Sequence, residues 1–151
     1  MIPRTIFSQE HAELRTAVRQ FIGHEITPHY LDWEKAGIVP REIWLKAGAF
    51  GLLCPALPTE YGWLGASFLH SVVLTEEMAR VGAMAPTFYL QSDIVAPYIL
   101  HLGTDEQKRY WLPRMATGEV VAAVGNVGTV RRQRPAGHQD GSHPRGRRIR
   151  H

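Results

Sequence analysis

Two small groups of side chains have the residue types that catalysis or metal binding requires. Glu76 and Glu77 are adjacent carboxylates, and paired carboxylates can carry out general acid–base catalysis. Neighbouring positions on a helix point about 100° apart, so the favoured interpretation is support of a helix. His24 and His29 lie five residues apart around Pro28. Solvated or capping histidines are favoured there over a metal site, and no metal ligand set is predicted.

Cys54 is the single cysteine, so an internal disulfide is excluded. A reducing compartment, and with it a cytoplasmic location, is the simpler expectation. Between Leu53 and Pro55, Cys54 is expected to be a small buried hydrophobe rather than a nucleophile. The sequence has no GxGxxG, phosphate-binding loop, CxxC pair or HExxH. No apolar run approaches the roughly 20 residues of a membrane helix, and no signal peptide is expected.

Apolar periodicity and capping residues predict the elements that must position these side chains. The pattern predicts five helices. The first is capped by Ser8 and has the apolar stripe Leu14, Val18, Phe21 and Ile22, and the second follows Pro40 with Ile43, Trp44 and Ala47 facing inward. The third begins after Ser67 and ends at Gly82, the fourth runs from Phe88 to Leu102 with a kink at Pro97, and the fifth follows the capping box Thr104–Gln107.

A short β-branched run, Val120–Val124, follows the Thr117-Gly118 turn and is the one predicted strand. The predicted fold class is therefore all-α, a helical bundle that leads into the first strand of another domain. The boundaries that we predict are a helical domain over residues 1–118, the strand over 119–125 and a basic tail over 126–151.

The tail differs in composition from everything before it. Residues 126–151 hold seven of the 17 Lys and Arg residues and one of the 14 Asp and Glu residues, so the first 125 residues have a net charge of −3 and the tail +6. A sequence this polar cannot bury enough apolar surface to offset the entropy of ordering its backbone. The tail is expected to be disordered.

Several segments, in the order and at the spacing typical of the family, resemble the N-terminal domain of acyl-CoA dehydrogenases. They are WEKAGIVPREIWLKAGAFGLL, PTEYGWLG, LTEEMARVG, YLQSDIVAPYILHLGTDEQKRYWLPRMATGE and VVAAVG. The resemblance covers residues 8–125 and looks closest to the long-chain members at Trp33–Gly37 and Gln91–Val95. Trp63 departs from it, because the family usually has a second glycine there. Trp63 adopts left-handed backbone angles only at a cost, so that loop is expected to take a different course.

The resemblance implies an enzyme with three domains: a helical N-terminal domain, a β-domain and a C-terminal helical domain. It implies flavin-dependent α,β-dehydrogenation of fatty acyl-CoA thioesters, with FAD as cofactor, an electron-transfer flavoprotein as partner and a homotetrameric assembly. The glutamate base lies in the C-terminal domain of the family, so no residue of this chain is assigned to catalysis. Gln91, Ser92, Val95 and Ile99 match the wall around the acyl tail, and Val124 and Gly125 are the last residues expected near the cofactor.

Where the family continues with a flavin-contacting Met-Ser/Thr-Glu-Pro motif, this chain continues with Asn126-Val127-Gly128-Thr129. A reading frame shifted by one base lets residues 126–140 accommodate MSEPSAGSDLQGIKT. We therefore expect one extra nucleotide near codons 125–126 and a truncated, inactive product. Two alternatives stay open: a non-catalytic helical interaction module, and a nucleic-acid-binding protein that contacts phosphates through the arginines of its tail.

Overall fold

The computed structural model describes residues 4–83 and 85–125, and in that part of the chain the regular secondary structure is helical. The order of elements agrees with the predicted all-α class. The α-helices are α1 (Gln9–Phe21), α2 (Tyr30–Ala36), α3 (Arg41–Ala49), α4 (Phe68–Arg80), α5 (Ala96–Leu102) and α6 (Asp105–Ala116). Segments of π-helix span Ile22–Ile26 and Leu90–Val95, and Thr59–Tyr61 is a 3₁₀ turn.

The predicted helix starts are confirmed at both ends of the domain. Ser8 is the N-cap of α1, and its backbone N–H donates to Nδ1 of His11 over 3.1 Å. Thr104 is the N-cap of α6, where Gln107 N donates to the Thr104 hydroxyl over 3.3 Å and Gln107 Oε1 accepts from Thr104 N over 2.9 Å. These reciprocal bonds satisfy backbone N–H groups at the start of the helix, which have no carbonyl partner within the helix.

Helices α1 and α4 are joined by ion pairs between residues about 60 positions apart in the chain. The carboxylate of Glu77, only 3% exposed, lies 2.6 Å from Arg15 Nη1 and 2.7 Å from Arg19 Nε. Glu76 accepts from Arg15 over 2.7 Å and also pairs with Arg4. The hydrogen bonds from Arg19 and Arg15 lower the pKa of Glu77 to about 2, against the opposing effect of its burial. These carboxylates therefore support the helix pair, as the sequence predicts.

The core contains apolar side chains from every α-helix except α2, whose Tyr30 and Trp33 pack against its edge. Trp44 of α3 meets the ring of Phe88 edge to face with centroids 5.0 Å apart. Cys54 belongs to this core at 1% exposure, and burial raises the pKa of its thiol to about 12. The prediction of a buried cysteine is confirmed, and the raised pKa disfavours the thiolate that a nucleophile requires.

Two glycines let the backbone of α3 touch the turn that follows α6. A Cβ on Gly48 would lie 2.1 Å from the carbonyl oxygen of Thr117, and one on Gly118 would lie 2.1 Å from that of Trp44. Gly118 also has φ +79°, a conformation that favours glycine. This contact sets where the chain leaves the helical domain.

In the Trp63 loop, the left-handed backbone conformation falls on the preceding glycine, Gly62, and not on Trp63. Gly62 has φ +76°, whereas Cys54 is the only non-glycine residue with positive φ in the described part of the chain. The indole N–H of Trp63 donates to the carbonyl of Leu53 over 2.8 Å. The loop therefore accommodates tryptophan without the backbone strain that the sequence suggested.

The predicted strand Val120–Val124 is not formed: residues 121–125 have no regular secondary structure. A strand is defined by hydrogen bonds to a neighbour, and the described residues contain no second strand to pair with it. Hydrogen bonds attach this exit segment (residues 119–125) to the helices instead, the first from the Arg41 side chain to the carbonyl of Glu119. Val120 N donates to Arg114 O over 3.0 Å, and Ala122 N donates to the side chain of Gln91 over 2.9 Å.

Candidate functional site

The helical run from Phe88 to Leu102 is where the sequence placed the acyl-tail residues, and its winding decides which way they face. Leu90–Val95 is wound as π-helix, and α-helical winding resumes at Ala96. Pro97 lies in the first turn of α5, directly after the π segment, and Val95 and Ala96 before it have helical dihedral angles. The kink at Pro97 stays a prediction. Short π segments of this kind occur often at functional sites. The run has an inner face toward the core and an outer face toward solvent.

The inner face carries two of the predicted acyl-tail residues. Gln91 is completely buried, with Nε2 donating to Met115 O over 2.6 Å. Ser92 is 7% exposed, and its hydroxyl accepts from Cys54 N over 2.9 Å. Their polar atoms are thus bonded to backbone groups inside the domain. The structure brings these residues together, and neither lines the two cavities described below.

Val95 and Ile99, the other two predicted residues, are partly buried and pack against the core cluster. All four residues therefore lie on one helical run, but their described contacts are with the helical domain itself. Their assignment to the acyl-tail wall stays a prediction.

The outer face begins at Tyr89, and Tyr89, Asp93 and Pro97 follow one another at a spacing of four, which places them on one side of the helix. Tyr89 borders the first of two cavities, which lies between α4 and the connection that precedes the run. Its volume is about 240 Å³, and its lining is apolar apart from the hydroxyls of Thr75 and Tyr89: Leu74, Thr75, Met78, Ala79, Ala83, Pro86, Phe88 and Tyr89.

The second cavity, of about 330 Å³, is a groove along the outer face of the same run, lined by Asp93, Ile94, Pro97, Tyr98, His101 and Leu102. Leu102 is 77% exposed and Tyr98 62%. Asp93 is half-buried here, and burial raises the pKa of its carboxyl, with the Ser71 hydroxyl opposing. A carboxyl with a perturbed pKa beside an apolar groove is a functional-site signal. Sequence reasoning missed Asp93 and Tyr89, although their spacing of four was visible.

Val124 and Gly125, the predicted cofactor-side residues, are both exposed at the end of the exit segment. A Cβ built on Gly125 meets nothing within 4 Å. Ala122 is the last residue, within the described ranges, whose backbone is hydrogen-bonded to the helices. The assignment of Val124 and Gly125 to the cofactor site therefore stays a prediction. The Met-Ser/Thr-Glu-Pro position of the family falls on residues 126–129, outside the described residues.

The remaining sequence candidates are not drawn into a site. His24 and His29 are exposed and lie on the first π segment and just before α2. Within residues 4–83 and 85–125 no group of three or more His, Cys, Asp or Glu side chains could hold a metal ion. In the same ranges no helix is long and apolar enough to cross a membrane.

Comparison with known proteins gives a consistent result. The family model described as "Acyl-CoA dehydrogenase, N-terminal domain" matches residues 8–119. The chain is 44% identical over 121 residues to the long-chain specific acyl-CoA dehydrogenase of mouse mitochondria, a match that covers 80% of this chain and 28% of that protein. The chain spans less than a third of that relative's length.

Solved structures agree with the sequence matches. An acyl-CoA dehydrogenase from Geobacillus kaustophilus superposes with a TM-score of 0.75 at 47% identity, covering 78% of this chain and 31% of that one. An acyl-CoA dehydrogenase from Bacillus anthracis, solved in complex with FAD, superposes with a TM-score of 0.65 at 29% identity, covering 78% of this chain and 20% of that one. Relatives of this chain therefore bind FAD.

Proposed function

The chain belongs to the acyl-CoA dehydrogenase family, and from this premise we propose that its helical domain forms one wall of the binding site for the acyl tail of a fatty acyl-CoA. The reaction is flavin-dependent α,β-dehydrogenation, and the substrate is long-chain. The observation that carries the proposal is the outer face of the 88–102 run, where two apolar cavities of about 240 and 330 Å³ flank one helix.

The lining supports an apolar ligand for a physical reason. Each buried methylene contributes about 0.8 kcal/mol of burial energy, so an acyl chain gains affinity in proportion to the length that the cavities cover. Tyr89 and Asp93 belong to this wall, and Gln91 and Ser92 support it from behind.

Binding to the wall can be measured with the chain alone. Thr75 is an exposed residue that lines the first cavity, so Thr75→Trp fills that cavity without disturbing the core. We expect this variant to weaken binding of palmitoyl-CoA, measured by calorimetry, by about tenfold. The matched control is Thr16→Trp on the exposed side of α1. Equal affinity in the wild type and in Thr75→Trp would contradict the proposal.

Catalysis is not expected from this chain by itself. The glutamate base of the family lies in its C-terminal domain, and Glu76 and Glu77 are occupied by arginines. We propose that the 151-residue chain neither retains FAD stoichiometrically nor oxidises acyl-CoA. A flavin absorbance band in the purified protein, or turnover with an artificial electron acceptor, would overturn this.

The frame-change hypothesis has its own test. Sequencing the gene around codon 125 should reveal one extra nucleotide, and its deletion should give Ser-Glu-Pro-Ser-Ala-Gly-Ser-Asp in place of residues 127–134. The repaired protein should prefer C16 over C4 acyl-CoA in kcat/KM.

An electron-transfer flavoprotein partner and a homotetramer are proposed for that longer protein. A cytoplasmic location stays a prediction that cell fractionation can check.

A non-catalytic interaction module is the second candidate. The exposure of Tyr98 and Leu102 on one helix face favours it. Co-purification with an intact homologue, lost in Leu102→Ser, would support this alternative.

A further inference from the structure

Gln91 occupies an unusual position for a residue beside a ligand wall. It is the only completely buried polar side chain in the described part of the chain. Its amide bonds two backbone groups from different segments: Nε2 donates to Met115 O in α6 over 2.6 Å, and Oε1 accepts from Ala122 N over 2.9 Å. The amide thus links the last turn of α6 to the chain that leaves the helical domain.

The exit segment (residues 119–125) has few other attachments. Arg41 donates to the carbonyl of Glu119, and Val120 N donates to Arg114 O over 3.0 Å. Beyond Val120, the one backbone bond to the helices in the described ranges is that from Ala122 to Gln91. Gly125 follows three residues later, at most about 10 Å of extended chain.

The helical turn that contains Gln91 and Asp93 faces the exit segment on one side and the outer groove on the other. Gln91 points inward to the exit segment, while Asp93, two residues on, lines the outer groove. The π winding of Leu90–Val95 holds both. We propose that Gln91 is a positioning residue, which fixes the exit segment, and through it Val124 and Gly125, relative to the acyl wall. This inference rests on the proposed function for its catalytic meaning, and its geometric part stands on the contacts alone.

The chemistry of the amide makes the proposal testable by a conservative substitution. Gln91→Glu keeps an oxygen that accepts from Ala122 N. Its second oxygen faces the carbonyl of Met115, which it can bond only as a protonated carboxyl that donates. The variant therefore makes both bonds in acid. Once the carboxyl ionises, its second oxygen repels the Met115 carbonyl oxygen, which lies 2.6 Å from the Gln91 amide nitrogen that it replaces, and the carboxylate turns away from Ala122 N as well. Gln91→Leu removes both at every pH.

The experiment is amide hydrogen exchange, followed by NMR, on the 151-residue chain without ligand. We expect the Ala122 amide to exchange about tenfold faster in Gln91→Leu than in the wild type, the factor that corresponds to about 1.4 kcal/mol. In Gln91→Glu, protection relative to the wild type at the same pH should be high in acid and fall as the carboxyl ionises. A merely space-filling role would give no such pH profile.

Two controls separate this result from general loss of stability. The amide of Lys108, bonded to Thr104 O over 2.9 Å in α6, should keep its exchange rate in both variants. Ser92→Ala removes the neighbouring buried hydroxyl, which bonds Cys54 N, and should leave Ala122 unchanged. If either Gln91 variant fails to fold, the other carries the comparison.

An Ala122 exchange rate in Gln91→Leu within twofold of the wild type would overturn the proposal, as would a Gln91→Glu profile parallel to that of the wild type. Because no acyl-CoA enters this measurement, its failure leaves the acyl wall untouched. Failure of the acyl-CoA titration, in turn, would leave the role of Gln91 in placing the exit segment standing.

Discussion

The α1–α4 pair and the outer face of the 88–102 run differ in how their carboxyl groups are bonded. Between α1 and α4 every carboxylate of the Glu76-Glu77 pair is held by arginines at 2.5 to 2.7 Å. On the outer face, Asp93 is half-buried beside apolar side chains, and its pKa is raised. Ion pairs that satisfy each other stabilise a fold, whereas a half-buried acid with a raised pKa beside an open apolar groove is available to interact with a ligand. The difference separates scaffold from site.

The largest effect should come from the backbone contact that closes the scaffold. Gly48→Ala places a methyl group 2.1 Å from the carbonyl oxygen of Thr117, so α3 and the turn after α6 must move apart. We expect a loss of about 3 kcal/mol in the free energy of unfolding, the upper part of the range for overpacking, measured by urea denaturation. Gly23→Ala is the matched control, since nothing lies within 4 Å of its Cβ. A loss of less than about 1 kcal/mol in Gly48→Ala would show that this contact is not needed.

The ion pairs should contribute the next largest effect. Glu77→Gln removes the charge of a carboxylate that is 3% exposed, and leaves Arg15 and Arg19 without it. Breaking a buried pair costs about 3–5 kcal/mol, and the partial exposure of the arginines reduces this to about 2 kcal/mol. Glu76→Gln, at a side chain 29% exposed, should cost less than about 1 kcal/mol. Equal losses in both variants would remove the distinction between the two carboxylates.

Acid should reproduce part of that loss without a mutation. The pKa of Glu77 is lowered to about 2 in the folded chain, against about 4.3 for an ordinary glutamate. A lowered folded-state pKa gives stability that is fully present above about pH 4.3 and is lost as the pH falls toward 2. The wild type should therefore lose more free energy of unfolding between about pH 5 and pH 3 than Glu77→Gln does. Parallel pH profiles would contradict the assignment.

The smallest effect is expected on the outer face. Leu102 is 77% exposed, so Leu102→Ser should change the free energy of unfolding by no more than about 0.5 kcal/mol. Leu112→Ala, at a completely buried leucine of α6, provides the contrast at about 2–5 kcal/mol. A large loss in Leu102→Ser would mean that the groove belongs to the scaffold.

What the sequence could predict was set by the range of the interactions. The caps at Ser8 and Thr104 depend on neighbours within one turn, and both are confirmed. The inward direction of Gln91 depends on π winding and on backbone groups 24 and 31 residues away, which no periodicity of 3.6 encodes. The strand predicted at Val120–Val124 is not formed, because a β-branched run forms a strand only beside a partner strand, and residues 4–83 and 85–125 contain none.

The arginine partners of Glu77 show the same limit from another direction. The sequence indicated that these carboxylates support a helix, but Arg15 and Arg19 are 62 and 58 residues away, and their contact depends on how α1 meets α4. Asp93 was missed because its neighbours Gln91 and Ser92 carried the resemblance to the family. The fold class could therefore be predicted from local patterns, but which residues each helix turns toward its neighbours could not.

The central claim, that the outer face of the 88–102 run forms the acyl wall, is tested most directly by photoaffinity labelling. A long-chain acyl-CoA with a diazirine near the end of its tail would be bound to the 151-residue chain, irradiated and mapped by mass spectrometry. We predict labels on the cavity linings, at residues 74–89 and 93–102, that excess palmitoyl-CoA suppresses. Suppressible labels confined to α1, α2 or α3 would contradict the account.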